Sequence, residues 1–489
     1  MKDRIALCTL YLVLCTLSIV LCLSGCREYQ LSDDPTMRLA FSHDTVCFDT
    51  VFTQQGSATF QLMVYNPNPN ALLIDRVWLD DNQAFKVNVD GEPQLDQLTN
   101  LQLNGGDSLF VFIRAEIDPL NSNNPVLVTD QLHFHLATGA TQQVQLEAYG
   151  QNVKRLGGSG VTFVNDYTFT NVLPYLIRDT FVVKNKLTIE KGARLYMHRG
   201  ACLYAYGDIE AAGTLDEPII FCGDRLDNLF DSVPYRFAGG SWNGIYVIDT
   251  CQTAERQYSL DYVDILSGNI GLYCACLRNN ALPTVRLNGC RIHNHRLYGL
   301  VLLNMDALVA NSEISNCASY CVYCSGGNHT FVHTTVASYF GYTNVRIQSA
   351  AKENAAAVYI DNLGKAEPHT TTSFYNCIIT GYLPNQLVVA TPLDRYYPGE
   401  FIGNYLKTDT LSMPHADANV YWQKTDTAQL FRNDYYKYKE YVYYDFRLDS
   451  LSPAIGIGDA SKAESYPTDR IGVSRAEVKP DAGCYQHLP

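Results

Sequence analysis

The sequence is short of basic residues and, after residue 23, has no long apolar run. It holds 36 lysines and arginines against 50 aspartates and glutamates, a formal net charge of −14 over 489 residues. Because contacts to phosphate backbones depend on lysine and arginine, nucleic acid is excluded as a predicted partner. Beyond residues 5–23, no segment has the length and apolarity that a membrane-spanning helix needs. We therefore expect the rest of the chain to fold in water.

Motifs for metal ions are also missing, although the sequence has 16 cysteines. A structural zinc site needs four converging ligands. The cysteine clusters at 274–276 and 317–324 have no second Cys-x-x-Cys or histidine pair at a suitable distance. The cysteines are also too sparse for a small disulfide scaffold. Packing of these small side chains inside the fold is favoured over a disulfide or a metal site, and neither a metal nor a cofactor is predicted.

The N-terminus has the pattern of an export signal. Lys2 and Arg4 precede the apolar stretch, which ends in Leu-Ser-Gly before Cys26. This ending resembles the lipobox of bacterial lipoproteins, in which the cysteine thiol receives a diacylglycerol. The resemblance implies that residues 1–25 are a signal peptide and that Cys26 carries the lipid that anchors the protein in the outer membrane. The alternative is an uncleaved transmembrane anchor, since the stretch is nearly long enough to span a bilayer.

Residues 26–35 are short and polar and predict a tether. Their acidic side chains, Glu28, Asp33 and Asp34, follow soon after the cysteine. They resemble the surface-export signal of Bacteroidota lipoproteins. The resemblance implies an orientation towards the cell surface.

Residues 36–152 predict an all-β domain. Alternating runs such as Ser108–Ile113 are separated by Asn-Pro-Asn-Pro, Asp-Gly and Gly-Gly-Asp turns, which is typical of a β-sandwich. The Cys…Trp…Cys spacing of true immunoglobulin domains is absent. The order of Phe48–Phe52, Val64–Asn66 and Ala148–Gln151 resembles the Ig-like domain that precedes other modules in Bacteroidota lipoproteins. That resemblance implies a role in spacing or contact.

An internal repeat follows. Ile292, Ile314 and Val336 are each 22 positions apart, and the same interval separates Asn294 from Asn316. A fixed period in the twenties is the mark of a solenoid. The regular leucine lattice of leucine-rich repeats is absent, and three short strands with three turns fill such a period at β spacing. We expect each coil to stack on the next, with Asn294 over Asn316 as a buried amide ladder and with tyrosines recurring at Tyr298, Tyr320 and Tyr342.

The segments around the repeat point to one architecture. The order of Leu187–Ala193, Gly213–Phe221 and Trp242–Ile245 resembles the opening coils of right-handed parallel β-helix proteins, the pectin-lyase-like fold. We therefore expect an Ig-like sandwich followed by a right-handed parallel β-helix at 153–430. Residues 431–489 are expected to form the last coils and a C-terminal cap. Residues 344–372 interrupt the period and predict a loop insertion.

One set of residues resembles an acid/base patch. His293, His295 and Arg296 follow one strand, and Asp261 and Asp264 occupy the preceding coil. Cleavage of acidic glycans needs a base, an acid and a cation to hold the uronate. The competing interpretation, that these are solvated turn residues, is favoured. The carboxylate sets of polygalacturonase-like and pectate-lyase-like enzymes are not found in the solenoid, so no catalytic residue is assigned firmly.

Tyrosine is the most abundant aromatic residue, with 34 copies. Exposed aromatic rings bind sugars by stacking and offer a hydroxyl, so dense tyrosines predict a glycan-binding surface. The alternative is packing over the last coils. The predicted binding tyrosines are Tyr396, Tyr397, Tyr435, Tyr436 and Tyr438.

These observations predict a cell-envelope lipoprotein with a non-catalytic module for glycan binding or adhesion. The first alternative is a polysaccharide lyase or glycoside hydrolase acting on acidic glycans. The second is a structural envelope protein. The lipid anchor and a polysaccharide or surface glycan are the predicted partners, and the sequence identifies no protein partner.

Overall fold

The computed structural model describes residues 30–81, 83–230, 233–250, 256–277, 283–340, 356–362, 370–390, 396–408, 420–422, 429–433, 444–476 and 479–488. The chain divides into two compact units, one ending at Gln151 and the other beginning at Asn152. Both are built almost entirely of strands.

Two sheets make up the first unit. Its strands are β1 (Ala40–Phe41), β2 (Thr45–Phe52), β3 (Phe60–Tyr65), β4 (Leu72–Leu79), β5 (Phe85–Val89), β6 (Leu101–Leu103), β7 (Ser108–Ala115), β8 (Val126–Leu136) and β9 (Thr141–Gln151). The orders are β1–β3–β7–β5 and β2–β9–β8–β4–β6. Neighbours pair antiparallel, except that β2 runs parallel to β9. A 3₁₀ turn lies at Leu95–Gln97.

Alternation along the strands builds the core of this unit. In β7, Leu109, Val111 and Ile113 are buried, whereas Phe110 and Phe112 between them are exposed. This is the two-residue period of a strand with one face in a core. Both sheets contribute to a single cluster of buried side chains. The predicted all-β character of this part of the chain is therefore confirmed.

The second unit is a stack of coils in which each strand pairs in parallel with its equivalent in the next coil. One sheet, called sheet A, contains eleven strands. They are β10 (Lys154–Leu156), β12 (Tyr175–Ile177), β14 (Arg194–Met197), β17 (Ile219–Gly223), β22 (Val263–Leu266), β25 (Arg291–His295), β28 (Glu313–Cys317), β31 (Thr335–Ser338), β34 (Ile378–Gly381), β37 (Tyr405–Leu406) and β38 (Tyr421–Trp422).

A sixteen-stranded sheet forms the rest of the stack and divides into two rows on either side of β13 (Thr180–Glu190), which also pairs with β11 (Thr162–Phe169). Row B contains β15 (Cys202–Ala205), β20 (Gly244–Asp249), β23 (Ile270–Cys276), β26 (Tyr298–Leu303), β29 (Val322–Ser325), β32 (Val358–Asp361) and β35 (Leu387–Val389). Row C contains β16 (Asp208–Ala212), β21 (Gln257–Asp261), β24 (Thr284–Asn288), β27 (Asp306–Ala310), β30 (Gly327–Val332), β33 (Thr370–Tyr375) and β36 (Tyr396–Ile402). These long parallel sheets are consistent with a parallel β-helix.

The remaining elements are short. They are the hairpin β18 (Asn228–Phe230) and β19 (Val233–Pro234), a 3₁₀ turn at Tyr235–Phe237, the antiparallel pair β39 (Phe431–Asn433) and β40 (Asp445–Leu448), and one α-helical turn, α1 (Ala460–Ala463).

Ladders of like side chains fill the interior of the stack. Ile292, Ile314 and Val336 are fully or almost fully buried and lie in register on successive strands of sheet A. The predicted 22-residue repeat is therefore confirmed. Each coil buries its apolar side chains against its neighbours, as in other solenoids.

The corners of the coils explain the placement of asparagine. The residue that follows six of the seven row C strands has a positive φ angle as the chain turns towards sheet A, as at Asn311 (47°) and Asn376 (55°). Asparagine tolerates this left-handed conformation better than other side chains with a Cβ atom. Asn294 and Asn316 adopt it as well and are buried on successive strands of sheet A.

Two sequence predictions about the end of the chain need correction. Strand β32 and the start of β33 fall inside residues 344–372, which were predicted as a loop insertion. The coil is longer there, since Thr335 pairs with Ile378, but it keeps a strand in rows B and C. The described residues from 444 onward, here called the C-terminal strap, were predicted to cap the last coil. They lie along the outer side of sheet A, because Asp264 and Glu313 on that side and Asn376 at a corner beside it bond to them.

Candidate functional site

Charged side chains of alternating sign run along the outer side of sheet A. Asp264 pairs in register with Arg291, Arg291 with Glu313, and Glu313 with Thr335. Parallel in-register strands bring equivalent side chains about 4.8 Å apart, so each charge lies beside one of opposite sign. The guanidinium Nε of Arg291 is 3.2 Å from Oε1 of Glu313.

The strap completes this row. Arg470 Nη2 lies 2.5 Å from Oδ1 of Asp264, and the Tyr485 hydroxyl donates a 2.6 Å hydrogen bond to Oε2 of Glu313. The backbone N–H of Cys484 donates to the Thr335 hydroxyl at 3.0 Å. We call Asp264, Arg291, Glu313, Arg470 and Tyr485 the strap clamp.

Burial and the neighbouring positive charges shift the pKa values of the two acidic residues of the strap clamp in opposite directions. Burial would raise the pKa of Glu313, but Arg291, His293 and Arg470 outweigh it and hold the pKa at about 2. Burial raises the pKa of Asp264 in spite of Arg470 and Arg291. The clamp holds two carboxylates and two guanidinium groups, so its formal charges balance.

His293 lies on the outer side of sheet A, yet it is only 2% exposed. The ring of Phe446 from the strap lies 6.5 Å away, edge to face. The Ser315 hydroxyl donates to Oε1 of Glu313 at 2.6 Å, so the 2.8 Å bond between His293 Nδ1 and Ser315 Oγ has the imidazole as donor. The pKa of His293 falls to about 3, because burial and then Arg291 disfavour the imidazolium.

His295 is held inside the coil. Its Nε2 atom donates to the carbonyl of Ile265 at 3.0 Å, and its Nδ1 atom accepts the Gly268 N–H at 3.1 Å. Both ring nitrogens of a neutral imidazole are thereby satisfied. Burial lowers the pKa of His295 to about 4. This histidine therefore fixes a corner of the coil.

The five residues of the predicted acid/base patch do not form one open site. Asp264 and His293 lie beneath the strap, and His295 lies inside the coil. Asp261 accepts a 3.2 Å hydrogen bond from Asn288 in row C. Arg296 alone is exposed. The interpretation of both histidines as solvated turn residues is also wrong, because neighbouring coils and the strap cover them.

Tyrosines line the outer side of row B. The group, called the tyrosine ladder, consists of Tyr204, Tyr246, Tyr273, Tyr298, Tyr320, Tyr323 and Tyr359, all half-buried. Tyr204, Tyr246 and Tyr273 are in register on three successive strands, and Tyr323 and Tyr359 are in register further along. The ladder therefore crosses six coils, with the buried Val301 at the equivalent position between its two parts.

The rings of the ladder direct many of their faces at one another. Tyr204 and Tyr246 stack with centroids 4.6 Å apart and planes 12° apart, and Tyr320 and Tyr359 stack at 4.6 Å and 22°. Stacked neighbours have little free ring face to offer a ligand. Such stacks expose the ring edges and the hydroxyl groups to solvent.

The hydroxyl groups of Tyr246, Tyr320 and Tyr323 in the ladder stay protonated at physiological pH. Burial, followed by neighbouring phenols, raises the pKa of Tyr246 and of Tyr320 to about 12. Burial also raises the pKa of Tyr323, whose hydroxyl donates a 2.9 Å hydrogen bond to Asp361. Neutral phenols both donate and accept hydrogen bonds. The ladder is thus a fixed row of uncharged hydrogen-bonding groups.

The tyrosines predicted from the sequence are placed only in part. Tyr396 and Tyr397 belong to β36, at its pairing with β33, and their side chains are outside what the structure describes. Tyr435, Tyr436 and Tyr438 lie outside the described residues, as do Tyr342 and Cys26. Of the recurring tyrosines, Tyr298 and Tyr320 do stack, at 6.1 Å. The remaining members of the ladder were missed, because their spacing varies with coil length.

The described cysteines are free thiols, and ten of the eleven are buried. Cys274 and Cys324, for example, belong to the hydrophobic core of the stack. Across the described ranges, no group of cysteine, histidine and acidic side chains is arranged to hold a metal ion. No helix within those ranges has the length and apolarity to cross a bilayer.

We expect a thiol reagent to modify Cys47 in the native protein and to leave the other ten described cysteines unmodified. Reaction requires the thiolate and access, and burial raises the pKa of Cys274 and Cys290 as well as shielding them. Cys47 is exposed, although partial burial, then Glu147 and Asp49, raise its pKa. Peptide mapping after iodoacetamide labelling at pH 8 measures this. Native labelling of Cys274 or Cys290 would contradict inward packing.

Comparisons with known proteins give no family. No protein-family model and no curated protein matches the chain. A protein of unknown function from Porphyromonas gingivalis W83 is 10% identical over 26% of this chain and 50% of its own, with a TM-score of 0.18. A family 123 glycoside hydrolase from Clostridium perfringens is 7% identical over 26% of this chain and 30% of its own, with a TM-score of 0.20. The PapD-like domain 7 of human CEP192 is 12% identical over 27% and 96%, with a TM-score of 0.18. Scores of this size carry no weight for fold or function.

Proposed function

We propose that this protein is a cell-envelope lipoprotein that binds glycans through the tyrosine ladder without cleaving them. In this proposal Cys26 carries the lipid that anchors the chain in the outer membrane, with the folded mass facing the cell surface. The first unit is an Ig-like domain, and the stack of coils is a right-handed, pectin-lyase-like β-helix. The lipobox-like ending before Cys26 supports the anchor, and the long parallel sheets support the β-helix.

The observation that carries the binding proposal is the row of neutral tyrosine hydroxyls on successive coils. Sugars present closely spaced hydroxyl and ring oxygens, and short polar side chains or phenols fixed on rigid strands recognise them by hydrogen bonds. The ladder rings brace one another by stacking, as Tyr204 and Tyr246 do. Little side-chain freedom is then lost on binding, which favours affinity. A glycan chain lying along row B would meet hydroxyls from several coils.

The burial and bonding of the residues predicted to form an acid/base patch favour glycan binding over glycan cleavage. A general acid or base must come within hydrogen-bond reach of the substrate. His293 and His295 are buried and bonded to protein groups, and Asp264 is paired with Arg470. The hydrolase or lyase alternative thus loses the residues on which it was based.

We expect the double variant Tyr246→Phe, Tyr320→Phe to bind glycan more weakly, while its folding stability stays close to that of the wild type. Each substitution keeps the ring and removes one hydroxyl, and a hydrogen bond contributes about 1 kcal/mol, or about fivefold in affinity. Two such losses predict a dissociation constant raised by about 25-fold. Isothermal titration against a panel of neutral and acidic oligosaccharides measures it.

The matched control is Tyr149→Phe, which changes an exposed tyrosine of the first unit and should leave the affinity unchanged. Absence of binding to every glycan in the panel would reject the proposed function. Binding that is insensitive to the double variant would reject the ladder as the binding site. Release of unsaturated or reducing ends during the titration would favour the enzymatic alternative.

A further inference from the structure

The strap covers residues that the sheet itself directs outward. Along β25 the side chains of Arg291 and His293 point away from the interior, whereas that of Ile292 belongs to the core of the stack. Outward side chains of a sheet are solvated unless something covers them. The ring of the strap residue Phe446 contacts the buried His293 edge to face, with the centroids 6.5 Å apart. The strap therefore contributes to the cover over His293.

The cover combines polar and apolar contacts. Arg470 and Tyr485 bond to the charged row of sheet A. Phe446 and Leu448 of the strap form a small core with Phe431, with Ala337 and Ile378 of the sheet and with further strap residues that include Tyr485. Without the strap, the charged row would meet water, which solvates it, so the strap can separate without leaving buried unpaired charges.

We propose that the C-terminal strap is a latch released by acid: it docks over neutral His293, and protonation of His293 and Glu313 drives it from sheet A and uncovers the row of Asp264, Arg291 and Glu313.

Among the described residues of sheet A, the titratable groups that act on His293 are Arg291, Glu313 and His295. Glu313 Oε1 lies 3.6 Å from the imidazole Nδ1. From the strap, Arg470 and Tyr485 reach Glu313. Burial and Arg291 together outweigh the attraction of Glu313 for a proton on His293. The docked strap therefore favours the neutral imidazole.

The direction of the pH effect follows from linkage. An exposed histidine has a pKa near 6.5, whereas in the docked state burial, followed by Arg291, lowers the pKa of His293 to about 3. Undocking thus takes up a proton, and docking weakens about tenfold per pH unit below 6.5. The pKa of Glu313 is about 2 when the strap is docked, so protonation of Glu313 weakens docking further below its ordinary pKa of 4.5. Asp264 acts in the opposite direction, because burial raises its pKa when docked.

Hydrogen exchange measured by mass spectrometry on the full chain between pH 7.5 and 4.5 tests the latch. The strap peptide 480–486 reports undocking, and the row B peptide 298–303 reports unfolding of the stack. After correction for intrinsic exchange, we expect the opening equilibrium of the strap to rise about a hundredfold between pH 6.5 and 4.5, while row B stays protected. Simultaneous loss of protection in both peptides, or no dependence on pH, would overturn the proposal.

Substitutions identify the titrating group. His293→Gln retains a donor for Ser315 and cannot take up a proton, so the strap profile should be flat from pH 6.5 to 4.5. His198→Gln changes a half-exposed histidine elsewhere and should keep the wild-type profile. Phe446→Ala removes the ring over His293 and should lower strap protection at pH 7.5 and flatten the profile. An unchanged slope in His293→Gln or in Phe446→Ala would reject His293 as the trigger.

Discussion

Replacing Glu313 by alanine is expected to lower the free energy of unfolding by about 3–5 kcal/mol, the cost of breaking a buried ion pair by removing one partner. Glu313 accepts bonds from Arg291, Ser315 and Tyr485. Its removal takes away the ion-pair partner of the Arg291 guanidinium, which is largely buried, and leaves Asp264 as the neighbouring negative charge. The Tyr485 hydroxyl also loses its acceptor, and a buried polar group without a partner is costly. Urea unfolding followed by circular dichroism measures the change.

Two matched variants separate charge from packing. Glu313→Gln keeps the shape of the side chain and removes its charge. Its free energy of unfolding should therefore lie between those of the wild type and the alanine variant. The pair Arg291→Met, Glu313→Leu removes both charges, and such replacements are often nearly neutral. An alanine variant within about 0.5 kcal/mol of the wild type, the range typical of surface substitutions, would contradict the clamp as described.

The pH dependence of the free energy of unfolding below pH 4.5 gives an independent check on the role of Glu313. Its folded pKa of about 2 lies below its ordinary value of 4.5. The stabilisation it contributes is therefore fully present above pH 4.5 and is lost as pH falls from 4.5 towards 2. Glu313→Gln should remove this part of the pH dependence.

The repeat could be read from the sequence because it depends on local patterns. Ile292, Ile314 and Val336 recur at one interval, and asparagines occupy several of the corners where φ is positive. Each coil contacts mainly its neighbours, so the pattern within about three coils was enough to predict the stack. The longer coil between Thr335 and Ile378 broke the interval and hid β32.

The strap clamp could not be predicted in the same way. Arg470 meets Asp264 across 206 positions and Tyr485 meets Glu313 across 172, and no periodicity links them. The sequence did single out Asp264 and His293 as charged or titratable residues on one side of the coils. It could not show that a distant segment covers them, so the same residues resembled an open acid/base patch.

The tyrosine ladder could not be predicted from the sequence for a related reason. Tyr246 and Tyr273 lie 27 positions apart, whereas Tyr323 and Tyr359 lie 36 apart, although each pair is in register. Register fixes which rings meet, and insertions between strands change the interval without changing the register. Only the strand pairing shows that one outward position in row B is repeatedly tyrosine.

A second large effect is expected in the interior of the stack, where Phe374→Ala should lower the free energy of unfolding by about 3–5 kcal/mol. Phe374 is fully buried in row C between two other rings. It stacks on Phe331 at 4.9 Å and 14°, and its centroid lies 5.5 Å from that of Phe401. Truncation removes contacts to the coils on both sides and leaves a cavity that rigid backbone ladders close poorly.

The control for this prediction is Phe163→Ala. Phe163 is 61% exposed at the first coil, and its loss should change stability by less than about 0.5 kcal/mol. Phe374→Leu should cost less than the alanine variant, because more of the cavity stays filled. Hydrogen exchange of β30 and β36 should increase in Phe374→Ala before that of β15, since a coil transmits its loss first to its neighbours. Equal destabilisation by Phe163→Ala and Phe374→Ala would mean that the aromatic column does not stabilise the stack.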